Sequence, residues 1–300
     1  MKKRKLLISK QSTGTLFTVP VIITFLILLV ILSAAIFAPV ISPYNPNKLN
    51  LYESLQSPSV THLLGTDKSG RDIFSRILFG ARTTLLSAVG VVFISVAVGV
   101  PLGLISGYFG KFVDSIIMRA WDVVLAFPSL LLAFVFVAAF GKGLVNAVFA
   151  IGIVYIPMIS RFSRSLALTE KNKIYVQSAK SLGYSNMRIL FRHIFPNCVS
   201  TLIAEITLDL GYAILDLASL NFIGLGVQPP TADWGAMLQE GMIYLGTNPL
   251  MALAPGIAII VTVVSFNVLS DGIQAYLDPS QRKLPSVKKV KRILAGEANG

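Results

Sequence analysis

The sequence predicts an all-α polytopic membrane protein with six transmembrane helices. Of the 300 residues, 54% are hydrophobic and only 13% are charged, whereas a soluble domain carries about 25% charged residues. Long uncharged runs recur along the chain, and about 20 apolar residues cross the hydrocarbon core of a bilayer as a helix. The basic residues are also unevenly distributed between alternate loops, which is typical of an inner-membrane protein.

Six apolar segments divide the chain into tails, spans and loops. The first span, 19–41, follows a basic tail, 1–18. A cleaved signal peptide has an apolar region of only about 7–15 residues, so a retained membrane anchor is the favoured alternative. Residues 42–82 form a polar extracytoplasmic segment. A core, 83–275, then holds spans at 83–110, 115–140, 144–160, 199–222 and 249–270, with a coupling loop at 161–197 and an extracytoplasmic loop at 223–249, before a basic tail, 276–300.

Three local features refine this plan. Pro128 predicts a kink in the third span. Arg119 and Asp122, three residues apart near the start of that span, are expected to pair on one helix face. Trp234 and Tyr244, in the loop after the fifth span, are predicted to be aromatic anchors at the membrane interface.

The distribution of basic residues predicts the orientation. An even number of spans places both termini on one side. Of the 26 Lys and Arg residues, 20 lie on the side of the termini and 6 on the other side. Because cytoplasmic loops are enriched in Lys and Arg, both termini and the loop after the fourth span are predicted to be cytoplasmic.

A polar, basic stretch, Ile174 to Asn197, separates the fourth span from the fifth. We call it the knob and predict two short helices, 174–182 and 186–195. Gly183 suits the residue just past a helix end, where positive φ is common, and Ser185 can cap the second helix. Pro196 ends that helix or begins the next one. The knob is predicted to bind another protein and to receive its motion.

The fifth span carries an acidic stripe of Glu205, Asp209 and Asp216. Offsets of 4 and 11 residues place the three side chains within about 40° of one another on a helix. A charge at mid-membrane costs about 2.5–3.5 kcal/mol, so the stripe is expected to face a wet cavity or a partner. The functional interpretation is a pathway lining that attracts cationic groups. The structural alternative is pairing with Arg119 or with a neighbouring subunit.

No catalytic or cofactor site is predicted. The sequence contains no G-x-S-x-G, H-E-x-x-H or Walker-type loop, so ATP hydrolysis would have to be supplied by another polypeptide. His62 and His193 lack a matching nucleophile and are interpreted as structural. Cys198 is the only cysteine, no Cys/His cluster has metal-ligand spacing, and the scattered basic residues do not indicate nucleic-acid binding.

Three separated motifs indicate a family. They are H-L-L-G-T-D-K-S-G-R-D-I-F-S-R (62–76) with G-A-R-T-T-L (80–85), Q-S-A-K-S-L-G (177–183) with I-F-P-N (194–197), and L-N-F-I-G-L-G-V-Q-P-P-T-A-D-W-G (220–235). In these motifs the chain resembles the C-type inner-membrane permease subunits of dipeptide and oligopeptide ABC importers. The second motif resembles that family's E-A-A-x-x-x-G…I-x-L-P signature. The motifs cover nearly the whole chain except its tails.

The resemblance implies a type I ABC importer permease fold in a bacterial cytoplasmic membrane. It implies a homologous B-type permease as the other half of the pore, two ABC ATPase subunits at the cytoplasmic knobs, and an extracytoplasmic solute-binding protein that delivers a peptide-like solute. Carried over onto this chain, the ATPase-coupling residues are Gln177, Ser178, Ala179, Leu182, Gly183, Ile194 and Pro196. No cofactor or metal is implied for this subunit.

The chain departs from the family pattern at three positions. Gln177 replaces the usual Glu and Ser178 the first Ala of the signature, so an ion pair through residue 177 is replaced by a weaker hydrogen bond. Leu217 stands where the family often has Glu. The nearest acid, Asp216, is one residue earlier, and one residue turns a side chain by about 100° on a helix.

Several functional alternatives stay open at this point. Relatives of this kind carry dipeptides, longer peptides, glutathione-like peptides, or nickel and other metal chelates. A proton-driven transporter with Asp209 and Asp216 as relay groups would show broken helices and inverted repeats, which the sequence does not indicate. An intramembrane enzyme is disfavoured because the catalytic motifs are absent.

Overall fold

The computed structural model describes residues 18–277. The predicted basic tails fall almost entirely outside these residues. The regular secondary structure of the described residues is helical, and an isolated bridge between Thr66 and Asp72 is the β-type pairing among them. Its α-helices are α1 (Val19–Ile36), α2 (Ala38–Ile41), α3 (Ile73–Phe109), α4 (Lys111–Leu125), α5 (Ser129–Phe140), α6 (Leu144–Glu170), α7 (Ile174–Ser181), α8 (Asn186–Ile189), α9 (Phe195–Phe222), α10 (Trp234–Met242) and α11 (Leu250–Leu277).

Six spans result when one bent pair of helices is counted as one. Helices α1, α3, α6 and α11 and the continuous segment 186–222 are each long and apolar enough to cross a membrane. Helices α4 and α5 meet at 83°. Five helices therefore qualify as spans on their own, and the predicted number of six is reached when α4 and α5 count as one span, which is then a broken helix and not a kinked one. Pro128 lies in the break with ψ of 129°; it lacks an N–H and disfavours helical geometry in the residue before it.

Helices α3 and α6 form the tightest contact in the bundle. Gly99, Gly103 and Gly107 lie four residues apart on α3 and all face α6. A Cβ atom built on Gly99 would lie 2.8 Å from the Ile156 carbonyl oxygen, and one on Gly107 would lie 2.6 Å from that of Arg164. Small residues at this spacing allow two membrane helices to approach backbone to backbone. The stripe is legible in the sequence as G-x-x-x-G-x-x-x-G, but it was not predicted from it.

A polar cap closes the end of the bundle at which α3 and α6 begin. We call this the far end, because the knob lies at the opposite end. Here the buried Arg71 guanidinium donates to Asp67 (2.6 Å) and to Glu240 of α10 (2.9 Å). Asp72 caps α3 by accepting from the Ser75 amide (2.8 Å). The segment before α3 is therefore tied to the loop after α9 by buried charge pairs, which are costly to break one partner at a time.

Candidate functional site

The knob begins with a helix that ends at a glycine, as predicted. Leu182 is the C-cap of α7, and Gly183 follows it with φ of +77°. The Gly183 amide donates to the Lys180 carbonyl (3.0 Å) and the Tyr184 amide to that of Ala179 (3.2 Å). This pair of bonds defines a Schellman motif, which requires the left-handed conformation that glycine adopts at low cost.

The second knob helix differs from its prediction in two ways. It does not end at 195: α8 continues through a π-helical stretch, Leu190–Ile194, directly into α9, where Pro196 lies in the first turn. Because the helix is continuous here, the N–H that Pro196 lacks leaves a gap in the backbone hydrogen-bond ladder, and this gap lies next to the π-helical stretch. Ser185 has the extended backbone of an N-cap, but its side chain makes no capping bond. The first turn of α8 is exposed, so water can satisfy its amides.

The predicted coupling residues divide into an exposed and a buried group. Gln177, Ser178, Leu182, Gly183 and Pro196 are exposed, and Leu182 keeps 73% of its accessible surface. The other two, Ala179 and Ile194, are buried in an apolar cluster with side chains of α3 and α6. These two therefore hold the knob against the bundle, and only the exposed group is available to a partner.

Polar contacts fix the knob to the ends of α3 and α6. The Tyr108 hydroxyl donates to the side chain of Asn186 (2.9 Å). Just before the knob, the Lys171 ammonium ties the end of α6 to α3 by donating to the Gly107 carbonyl (2.7 Å). The Tyr175 hydroxyl donates to Glu170 (2.6 Å). Burial and this hydrogen bond both raise the pKa of Tyr175, so the hydroxyl keeps its proton. The knob is thus attached to both central helices and continuous with a third.

The knob also carries unneutralised positive charge. Lys180, Arg188 and Arg192 are exposed, and residues 174–197 contain no acidic residue. Lys180 lies over the Tyr108 ring and Arg188 over the Tyr184 ring, 5.3 and 4.7 Å from the ring centroids.

The acidic stripe lies on α9, where it borders α6. The Tyr155 hydroxyl of α6 donates to Asp216 (2.7 Å). One carboxylate oxygen of Asp209 is buried and has no hydrogen-bond partner, and Glu205 is partly exposed. Within residues 18–277, no Lys, Arg or His lies within ion-pair distance of these three carboxylates.

Two predicted pairings of Arg119 are therefore wrong: its pairing with the acidic stripe and its pairing with Asp122. Asp122 forms its ion pair with Arg161 of α6 and not with Arg119, its neighbour on α4. Helix α4 packs against α6, where Trp121 also donates to Ser160 and Arg164 to Asp114, and this contact brings Arg161 to Asp122. Leu217, at the position where the family often has Glu, is 1% exposed and packs in the core. Asp216 points to Tyr155 instead, so it does not substitute for that Glu at the same place.

The third sequence motif builds a buried hub at the far end. The Asp233 carboxylate accepts from Thr84 of α3 (2.7 Å), from the Asn221 side chain (2.7 Å) and from the Gly235 and Ala236 amides of α10. Burial raises the pKa of Asp233. Trp234 is not an interface anchor: it is 2% exposed and its indole N–H donates to the Ile77 carbonyl (3.0 Å). Asp233 is the N-cap of α10, and the Trp234 side chain, in the first residue of this helix, points into the core.

The two histidines lie in separate structural settings. The His62 ring is buried beside Asp72, 2.9 Å from its carboxylate oxygen. The His193 ring stacks on Tyr184, with centroids 5.6 Å apart. The polar contacts of the His62 ring are to carboxylates, and the Ser59 hydroxyl accepts from its backbone amide and not from its ring (3.0 Å).

Comparison with known proteins places these features in a family. Residues 99–283 match the binding-protein-dependent transport system inner membrane component, and residues 21–58 match the N-terminal transmembrane domain of oligopeptide transport permease C. The chain is 41% identical to the dipeptide transport system permease protein DppC of Alkalihalophilus pseudofirmus over 87% of this chain and 84% of that protein. It is 44% identical to the glutathione transport system permease protein GsiD of Escherichia coli O157:H7 over 85% and 84%.

The fold also matches a solved transporter. An inward-facing structure of the MetNI methionine ABC transporter superposes with a TM-score of 0.54 at 17% identity, over 66% of this chain and 94% of that one. At this identity the match supports the fold alone. The family matches and the long alignments with permeases support more: this chain is a multi-pass membrane protein that belongs to the binding-protein-dependent inner-membrane permeases, as a C-type subunit of the peptide/nickel ABC importers.

Proposed function

We propose that this chain is the C-type permease subunit of an ATP-driven importer that takes up di- or oligopeptides delivered by an extracytoplasmic solute-binding protein. The observation that carries the proposal is the similarity to a dipeptide permease and a glutathione permease over more than four-fifths of the chain. Both relatives are named for peptide solutes. We assign ATP hydrolysis to separate subunits, because the sequence contains no Walker-type loop.

The assembly has four kinds of component. A homologous B-type permease completes the pore, two ABC ATPase subunits bind the cytoplasmic side, and the solute-binding protein binds the other side. Both termini and the knob are cytoplasmic, which follows from the excess of Lys and Arg in these segments. The lipid bilayer surrounds the six spans.

The knob transmits ATPase motion to the spans. An exposed apolar tip, Leu182 beside Gly183, suits insertion into a groove of another protein. Coupling between two subunits requires an element that both can move. The knob meets this requirement, because α8 continues into α9, because Asn186 of the knob accepts from Tyr108 of α3, and because Tyr175 of the knob donates to Glu170 of α6. The exposed Lys180, Arg188 and Arg192 favour an ATPase groove with acidic or neutral walls.

The acidic stripe lines the solute pathway. Three carboxylates in one spanning helix, without a cationic partner in the described chain, are costly in lipid. A peptide with a free α-ammonium group supplies such a cation as it passes. Asp209 has the largest expected effect, because one of its carboxylate oxygens is buried without a hydrogen-bond partner.

One uptake experiment tests the energy source and the stripe together. Vesicles containing the whole importer are expected to take up peptide when ATP is supplied, and to continue after an uncoupler collapses the proton gradient. Asp209→Asn should lower uptake of peptides with a free α-ammonium about tenfold, since a charged hydrogen bond exceeds a neutral one by about 1.4 kcal/mol. The matched control, Asp271→Asn, removes an exposed acid of α11 and should not change uptake.

Two results would contradict these proposals separately. Uptake that survives ATP depletion but stops with the uncoupler would identify a proton-driven transporter. ATP-driven uptake that is the same in Asp209→Asn and the wild type would leave the importer assignment intact and exclude the stripe from the pathway.

A further inference from the structure

Arg82 is a cation without a partner on the outer surface of α3. It lies near the far end, in the third turn of this helix, and its side chain is exposed. Among residues 18–277, no acceptor or carboxylate lies within bonding distance of its guanidinium. The other two far-end arginines, Arg71 and Arg76, are buried and paired with acids. Arg82 therefore has no role in the charge network that closes this end of the bundle.

Two apolar grooves meet at this side chain. The first, with a volume of about 270 Å³, lies between α1 and α3; its lining includes Leu32, Ile36, Leu85 and Val89. The second, of about 380 Å³, lies between α3 and α6; its lining includes Val145, Val148 and Phe149, together with Thr231 of the loop after α9. Arg82 and Leu86, one helical turn apart, line both grooves and form the ridge between them.

Because the predicted second span begins at residue 83, we place Arg82 at the membrane boundary and the deeper parts of the two grooves along the hydrocarbon. Every element that lines them does so near its far end, and Val89 lies about 10 Å deeper along α3 than Arg82 at 1.5 Å per residue. Leu86 and Val145 each keep 64% of their accessible surface, so the grooves are open to the surroundings. A basic side chain at this level keeps its charge in the headgroup region while its stem covers apolar surface.

We propose that Arg82 and its two grooves bind an anionic phospholipid. The phosphate accepts from the guanidinium, whose planar fork matches phosphate oxygens, and Thr231 offers a neutral hydroxyl beside it. One acyl chain lies in each groove, on either side of Leu86. A helix of another subunit laid in one groove would fill apolar space but leave the guanidinium without an anion. A two-chained lipid with an anionic head satisfies both grooves and the charge.

The test measures which lipids the intact importer retains. The complex, with the full chain, is reconstituted in bilayers of equal parts phosphatidylglycerol and phosphatidylcholine and re-extracted, and the bound lipids are quantified by mass spectrometry. Arg82→Gln should lower the retained ratio of phosphatidylglycerol to phosphatidylcholine about fivefold, the equivalent of about 1 kcal/mol per basic residue. Arg82→Lys should retain most of the enrichment. Leu86→Trp, a change at an exposed position, should lower retention of both lipids by filling the grooves.

Lys142→Gln is the matched control, because it removes an exposed far-end cation that lines neither groove. Unchanged retention in Arg82→Gln would overturn the proposal. So would an equal loss in Lys142→Gln, since this would show only a general surface charge. Loss of the second permease subunit from Arg82→Gln complexes, with lipid retention unchanged, would show that this face binds protein instead. None of these outcomes depends on whether the knob couples to an ATPase.

Discussion

Replacing Gly183 with aspartate is expected to abolish transport while leaving the subunit inserted in the membrane. A Cβ atom at this position would meet nothing within 4 Å, so the knob itself should still fold. Asp tolerates the left-handed backbone better than most residues. Its carboxylate, however, would enter the proposed interface beside Leu182, where an unpaired buried charge costs about 3–5 kcal/mol, or at least a hundredfold in affinity.

The Gly183→Asn variant is the matched control for this prediction. Asn has nearly the same shape and the same tolerance of positive φ, but it carries no charge. Uptake and ATPase co-purification should be largely retained in Gly183→Asn and lost in Gly183→Asp. Normal uptake by Gly183→Asp would exclude this tip from the coupling interface.

Replacing Gly103 with leucine is expected to remove the folded subunit from the membrane. The new side chain would collide with α6, where even a Cβ atom would lie 2.8 Å from that of Ser163. Overpacking costs about 1–3 kcal/mol in soluble cores, and here neither helix can withdraw without losing the contacts of Gly99 and Gly107. The measurement is the amount of complex that survives extraction and its thermal midpoint.

Gly103→Ala is a milder form of this substitution, and Gly256→Ala is its control. Gly103→Ala should lower the midpoint of unfolding by several degrees, at about 2–4 °C per kcal/mol for a domain of this size. Gly256→Ala changes a glycine of α11 whose nearest neighbour would be 3.7 Å away, and it should be neutral or stabilising because Ala is the better helix former. Equal midpoints for both variants would contradict the close packing of α3 on α6.

The spans and the glycine turn were predictable because each depends on local chemistry. Span length follows from uncharged runs, and positive φ at Gly183 follows from its place between two polar helices. The 83° bend at Pro128 was underestimated, because proline predicts an interruption but its neighbours set the angle. Long-range partners were not predictable either: Arg161 is 39 residues from Asp122, and spacing alone favoured Arg119.

In the candidate site, too, the local features were predictable from the sequence and the long-range contacts were not. The motif placed Ala179 and Ile194 among the coupling residues, but a motif does not indicate which of its side chains face inward. The structure buries both against α3 and α6. Their part in coupling is therefore proposed to be the support of the exposed residues around them. The acids of α9 share a face by helical periodicity alone, whereas the Tyr155 contact to Asp216 required the packing of α6.

The most direct test of the account is covalent capture at the tip of the knob. A photo-reactive side chain placed at Leu182 in the intact importer should cross-link to a nucleotide-hydrolysing subunit, and the yield should change when ATP is trapped. The same group at Leu51, exposed at the far end, should not capture that subunit. Cross-linking of the ATPase through Leu51 but not Leu182, or labelling of Leu182 by a reagent confined to the outside, would contradict the central claim that a separate ATPase drives this permease through its knob.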